Sequence, residues 1–181
     1  MQTKPNDVLL LAGKVLTVLM QCFMAIAALA IPIGAAVVVF MSDTINAEIA
    51  AEFSGAVGPL PVIPVLGLFA LALAAVALIF LFFGRLRAII ETVGEGDPFA
   101  PENAERLSFM AWLLLLVQAL SIPIAGLALI VAKWTEPMEN ADVTVDAGID
   151  LVGITMVVVL FILARVFKHG AAMREDLEGT V

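Results

Sequence analysis

Three stretches of this sequence are too long and too free of charge to belong inside a soluble fold. No Asp, Glu, Lys or Arg occurs in the 28 residues between Lys14 and Asp43, the 32 between Glu52 and Arg85, or the 26 between Arg106 and Lys133. At about 1.5 Å of rise per residue, a helix of about 20 residues crosses a hydrocarbon core about 30 Å thick. Hydrophobic residues make up 62% of the chain, against roughly half in an ordinary soluble domain. A core built from 181 residues could not hide three such blocks from water, so lipid must be their solvent.

A fourth crossing is shorter in charge-free length. Only 14 residues separate Asp150 from Arg165, about 21 Å of helix. A span over residues 147–167 is long enough if Asp150 and Arg165 lie near opposite faces. Arg165 can do this because its aliphatic stem stays in lipid while the guanidinium reaches the headgroups. The run Val157-Val158-Val159-Leu160-Phe161-Ile162-Leu163 is too apolar for an exposed tail. The sequence therefore predicts an all-α fold, an integral membrane four-helix bundle forming one domain. Its spans fall at about 15–41, 60–83, 107–132 and 147–167, with helix extensions in a cytoplasmic loop, 84–106, and a cytoplasmic tail, 168–181.

Basic residues give the orientation. Lys4, Lys14, Arg85, Arg87, Arg106, Arg165, Lys168 and Arg174 fall on one side of a four-span arrangement and only Lys133 on the other. Cationic side chains stay on the cytoplasmic side of membrane helices, which predicts that the N-terminus, the middle loop and the C-terminus are cytoplasmic. A three-span reading would put the C-terminal basic cluster outside. The first apolar stretch is about twice the length of a signal-peptide core and ends in no clear cleavage site, so it is read as a retained span. The net charge of −8 argues against direct nucleic-acid binding, which needs cationic side chains to displace counterions.

Between the spans, local chemistry marks the helix ends. Ser42 to Pro59 reads as an outer loop, in which Ile45, Ile49 and Phe53 recur at the spacing of a short surface helix. Leu86, Ile89, Ile90 and Val93 carry the second helix past the membrane on one face. Gly94-Glu95-Gly96-Asp97-Pro98 then stops it, because glycine tolerates left-handed angles and proline cannot extend the hydrogen-bond ladder. Pro101 suits the first turn of the third helix, with Glu102 and Glu105 at the positive end of its dipole. Trp112 and Trp134 sit near the two borders of that span, as an aromatic belt would have them.

Little in the chain can carry chemistry. The lone histidine, His169, and the lone cysteine, Cys22, leave no paired haem ligands, zinc-hydrolase motif or dithiol couple. No catalytic residue, metal site or cofactor is expected. The polar side chains inside the spans, chiefly Gln21 and Gln118, read as interhelical hydrogen bonds; the alternative is a solute path lined by both glutamines. In the middle loop, Asp97 and Phe99 either plug the inner end of the bundle or touch a partner. In the tail, Arg174 followed by Glu175, Asp176 and Glu178 reads as a headgroup anchor with a solvated acidic end, or as a docking surface for a basic protein. Small residues such as Gly126 and Ala25 would also permit a homo-oligomer by close helix approach.

Two passages, Gly96-Asp97-Pro98-Phe99 with Pro101-Glu102-Asn103-Ala104-Glu105-Arg106-Leu107, and the run from Arg165 to Val181, resemble the domain of unknown function 2975 family of small bacterial membrane proteins. That resemblance implies a location in the bacterial inner membrane and no established enzymatic activity or cofactor. It also implies a partnership with small helix-turn-helix regulators encoded beside such proteins. The leading expectation is a non-catalytic membrane protein that acts by binding and sequesters or controls such a regulator. A small transporter or permeability factor, and a purely structural membrane oligomer, are the alternatives.

Overall fold

The computed structural model describes residues 7–53, 57–138 and 150–178, the side chains of Asp7, Leu177 and Glu178 apart. Among these residues the protein is all-α, with four helices: α1 (Asp7–Glu52), α2 (Val62–Gly94), α3 (Pro101–Thr135) and α4 (Leu151–Glu178). Each is long and apolar enough to cross a membrane, which makes this a multi-pass membrane protein built as a four-helix bundle. Apolar side chains such as Phe40, Ile63 and Ile122, at 86%, 84% and 75% exposure, are at home on such helices because their solvent is hydrocarbon.

The helix ends show where charge misleads. The uncharged gap ends the first span at Met41, yet α1 runs on without a break to Glu52. Ile45, Ile49 and Phe53 do share a half-buried face, but on the last turns of α1 and the turn closing it, rather than on a separate surface helix. Asp43, Glu48 and Glu52 end the apolar composition without ending the hydrogen-bond ladder. At the other helices the sequence signals hold: α2 continues to Gly94 and α3 begins at Pro101. The residues before 150, where the fourth span was expected to start, lie outside the described part, as does the side chain of Glu178.

The chain divides into two compact units, residues 1–25, 77–118 and 150–181 in the first and 26–76 with 119–149 in the second. The second is tied by small residues and loop-end hydrogen bonds. A methyl carbon added at Gly34 would lie 3.1 Å from the Phe69 ring, and one at Gly67 2.7 Å from the end of Leu127, so helices approach closely at both glycines. Asn46 Oδ1 accepts from the Leu60 N–H at 2.7 Å, and Trp134 Nε1 donates to the Gly58 carbonyl at 2.8 Å. In the first unit Ile89, Leu107, Met110, Ala111, Leu160 and Ala164 form the buried core, flanked by Phe82, Leu86, Val93 and Phe167.

Candidate functional site

The first unit is organised around the end of α2. The Gly96 N–H donates to the Val93 carbonyl at 3.1 Å and the Asp97 N–H to the Thr92 carbonyl at 3.0 Å. This paired closure is a Schellman motif, which needs a left-handed residue just past the helix. Gly96, with φ of 89°, supplies it. Pro98 then occupies the second position of a turn closed by the Ala100 N–H on the Asp97 carbonyl, and the Asn103 N–H on the Ala100 carbonyl at 2.9 Å opens α3. The path from α2 to α3 is thus set by backbone bonds at nearly every residue.

Beneath the loop lies Asn103, fully buried. Its Nδ2 donates to Thr92 Oγ1 at 2.8 Å and to the Pro98 carbonyl at 3.1 Å, while its Oδ1 accepts from Arg106 Nη1 at 2.9 Å. Thr92 returns its own proton to the Ile89 carbonyl at 2.9 Å, and Arg106 also reaches the Ala88 carbonyl at 3.2 Å. One amide therefore joins α2, the loop and α3, and no buried side-chain nitrogen or oxygen among the described residues lacks a partner. A polar cluster this complete stabilises a unique arrangement, because any shift would strand a desolvated group.

Three of the residues singled out in the sequence meet at the surface of this unit. The Asp97 carboxylate pairs with the Arg174 guanidinium, joining the loop to α4. Phe99 lies with its ring centroid 5.5 Å from that of Phe167, and a methyl carbon on Gly170 would fall 2.6 Å from the Phe99 ring. Phe99 remains 42% exposed, and the absence of a side chain at Gly170 makes room for its ring. Glu175 and Asp176 follow on the exposed surface of α4. α1 joins the same unit through Glu91, which bonds Arg87 at 3.1 Å and lies 3.7 Å from Lys14.

Alongside runs an open cleft of about 970 Å³ between the first half of α3 and the second half of α4. Trp112 and Phe161 meet edge to face across it, centroids 5.5 Å apart. Phe109 lines it too, with Arg85 stacked 5.0 Å over its ring. Arg165, Lys168, His169 and, two turns beyond Lys168, Glu175 border it on α4, and Glu105 on α3.

The two intramembrane glutamines do not share a site. Gln118 Nε2 donates to Asp150 Oδ2 at 2.9 Å, joining α3 to the start of α4. Gln21 packs at Gly84, where an added methyl carbon would lie 3.3 Å from its Nε2. Neither lines the cleft or the smaller cavity beside Lys14 and Glu91. Gln118 thus makes a helix-joining hydrogen bond of the kind expected of polar groups in lipid, whereas Gln21 makes a packing contact at Gly84.

Sequence reasoning placed Asn103 only in a passage that carries the family resemblance, used Arg106 only there and as one of the basic residues that set the orientation, and gave Thr92 no role. The available signal was spacing. Asn103, Leu107, Met110 and Leu114 stand three or four residues apart, so an amide heads a helix face otherwise built from core side chains. A polar residue on such a stripe must find internal partners.

Residues 41–181 match the family described as protein of unknown function (DUF2975). No curated protein and no solved structure matches the chain.

Proposed function

The chain belongs to that family of proteins of unknown function, and from this premise we propose a bacterial inner-membrane protein that acts by binding, without catalysis, and controls a small helix-turn-helix regulator. Both termini and the α2–α3 loop lie in the cytoplasm on this reading, which rests on the eight-to-one division of basic residues. One observation carries the proposal: loop and tail are locked together by Asp97–Arg174 and by Phe99 against Phe167 and Gly170. That lock holds the acidic last turns of α4 as part of a fixed surface, whereas an anchoring tail would need no such fixture.

The docking chemistry is electrostatic. Glu175 and Asp176, with Glu178 beside them in sequence, would supply carboxylates that compete with DNA phosphates for the Lys and Arg side chains of a basic DNA-binding domain. Release then requires a signal that favours the docked and free states unequally. The test is co-purification of the full chain, in mild detergent, with the helix-turn-helix protein encoded beside it. The wild-type chain should retain the regulator at low salt and release it as salt rises, and the triple variant Glu175→Ala/Asp176→Ala/Glu178→Ala should fail to retain it even at low salt. Failure of the wild-type chain to retain the regulator, or equal retention by the triple variant, would reject this reading.

A further inference from the structure

At the level of Glu105 the cleft between α3 and α4 has opposite charges on its two walls that do not neutralise each other, while Glu175 lines the α4 wall two turns farther along. Trp112 and Phe161, in ring contact, mark one level of the antiparallel pair. Seven residues back along α3 is Glu105, and seven residues on along α4 is Lys168. At about 1.5 Å per residue both stand about 10 Å from the aromatic pair, at matching depth. Both line the cleft, both are exposed, and neither has an ion-pair partner among the described residues. Arg165, one turn nearer the aromatics, is also unpaired there. His169 adds a ring whose Nδ1 donates to the Arg165 carbonyl at 3.1 Å, which leaves Nε2 for another contact.

Read from the hydrocarbon outward, the cleft passes from Trp112, Phe109 and Phe161 to a level with cations on one wall and a carboxylate on the other. An occupant that fits this order has an apolar body, then an anion, then a cation close beside it. We infer that the cleft binds one phospholipid with a phosphoethanolamine headgroup. Its acyl chains lie on the aromatic floor, its phosphate meets Arg165 and Lys168, and its primary ammonium donates to Glu105. Basic clefts between membrane helices favour phosphate headgroups, and Glu105 adds the discrimination. A phosphatidylglycerol headgroup brings no cation to that carboxylate, and a choline headgroup brings a cation without an N–H to donate. The lipid site stands or falls independently of any regulator, since the assay contains only protein and lipid.

Native mass spectrometry of the full chain, released from micelles holding equal amounts of dioleoyl phosphatidylethanolamine, phosphatidylcholine and phosphatidylglycerol, tests the inference. The wild-type protein should keep one phosphatidylethanolamine about tenfold over either competitor, the weight of one charge-assisted hydrogen bond. Glu105→Gln should bring that preference close to unity, and Arg165→Gln/Lys168→Gln should remove retention of all three lipids. Equal retention by the wild-type protein, a preference for phosphatidylglycerol, an unchanged preference in Glu105→Gln, or a lipid-free dimer seated on this face would each overturn it. Fluorescence gives a second readout: in a Trp134→Phe background Trp112 is the sole tryptophan of the two in the chain. Brominated phosphatidylethanolamine should then quench it more strongly than brominated phosphatidylglycerol at equal mole fraction, and equal quenching would count against the site.

Discussion

The two compact units of this protein are held by different forces. Apart from Val57, every buried side chain among the described residues belongs to the first unit. That unit has a layered core, a buried amide network and three ion pairs. The second has glycine-mediated approaches at Gly34 and Gly67 and two side-chain bonds to loop backbone, from Asn46 and Trp134. Between helices in hydrocarbon, apolar burial gives no net drive, so close van der Waals packing and a few polar ties must suffice. In the first unit the core runs from Ile89 in the helix extension to Met110 and Leu160 within the predicted spans, so interdigitated side chains and the buried amide network hold it where close glycine contacts hold the second.

The sharpest way to break this contrast is to truncate one asparagine from each unit. Asn103→Leu strands Thr92, Arg106 and the Pro98 carbonyl together, groups that now meet at 2.8–3.1 Å. Loss of a buried partner costs about 1–3 kcal/mol per stranded group, so a destabilisation of about 3 kcal/mol is expected. Asn46→Ala removes a single acceptor from the Leu60 N–H and should cost about 1 kcal/mol. Denaturant titration of the purified protein in one detergent, followed by circular dichroism, measures both. Equal losses would show that the polar network has no special weight.

A glycine pair sharpens the contrast in packing. In Gly170→Ala the new methyl would fall 2.6 and 2.8 Å from two carbons of the Phe99 ring, and a rigid ring clears the space only by leaving Phe167. Even after the helix-propensity gain of about 1 kcal/mol for alanine over glycine, a net loss of about 1 kcal/mol is expected from overpacking. Phe99→Ala in the same chain should abolish that penalty. Gly67→Ala meets only the terminal methyl of Leu127, at 2.7 Å, which a rotamer change can move. Its net effect should lie within about 0.5 kcal/mol of zero. Melting temperatures of the three variants against the wild type decide the matter.

Much of the architecture was legible in the sequence, because hydrocarbon permits so few alternatives. A charge-free run of 26 residues or more has one common use, and Gly96 and Pro101 mark a stop and a start by backbone chemistry alone. The end of α1 was less legible. Carboxylates at Asp43, Glu48 and Glu52 change the solvent a helix prefers without changing its ladder, so hydropathy located an interface where the helix itself continues to Glu52. At the candidate site, composition named Asp97, Phe99 and Arg174 but could not show that they pair with one another and with α4. Such contacts join residues as much as 77 positions apart. Asn103 was missed for the opposite reason: its neighbours in sequence suggest a helix start, and only its place on the Leu107–Met110 stripe gives it away.

The smallest expected effect concerns the lock itself. Asp97 and Arg174 are 42% and 49% exposed at the side chain, so water and salt screen their attraction, and exposed pairs of this kind stabilise by about 0.2–1 kcal/mol. Neutralising either partner should therefore barely alter global unfolding. A double-mutant cycle of Asp97→Asn and Arg174→Gln should return a coupling of about 0.5 kcal/mol that fades between 0.05 and 0.5 M salt, roughly where the Debye length falls below 10 Å. The more informative readout is local. If the pair holds α4 against the loop while Phe99 supplies the packing, Arg174→Gln should speed amide exchange in the last turns of α4 and leave α3 around Asn103 protected. Faster exchange at Asn103 as well would mean that the surface pair and the buried network are one cooperative element.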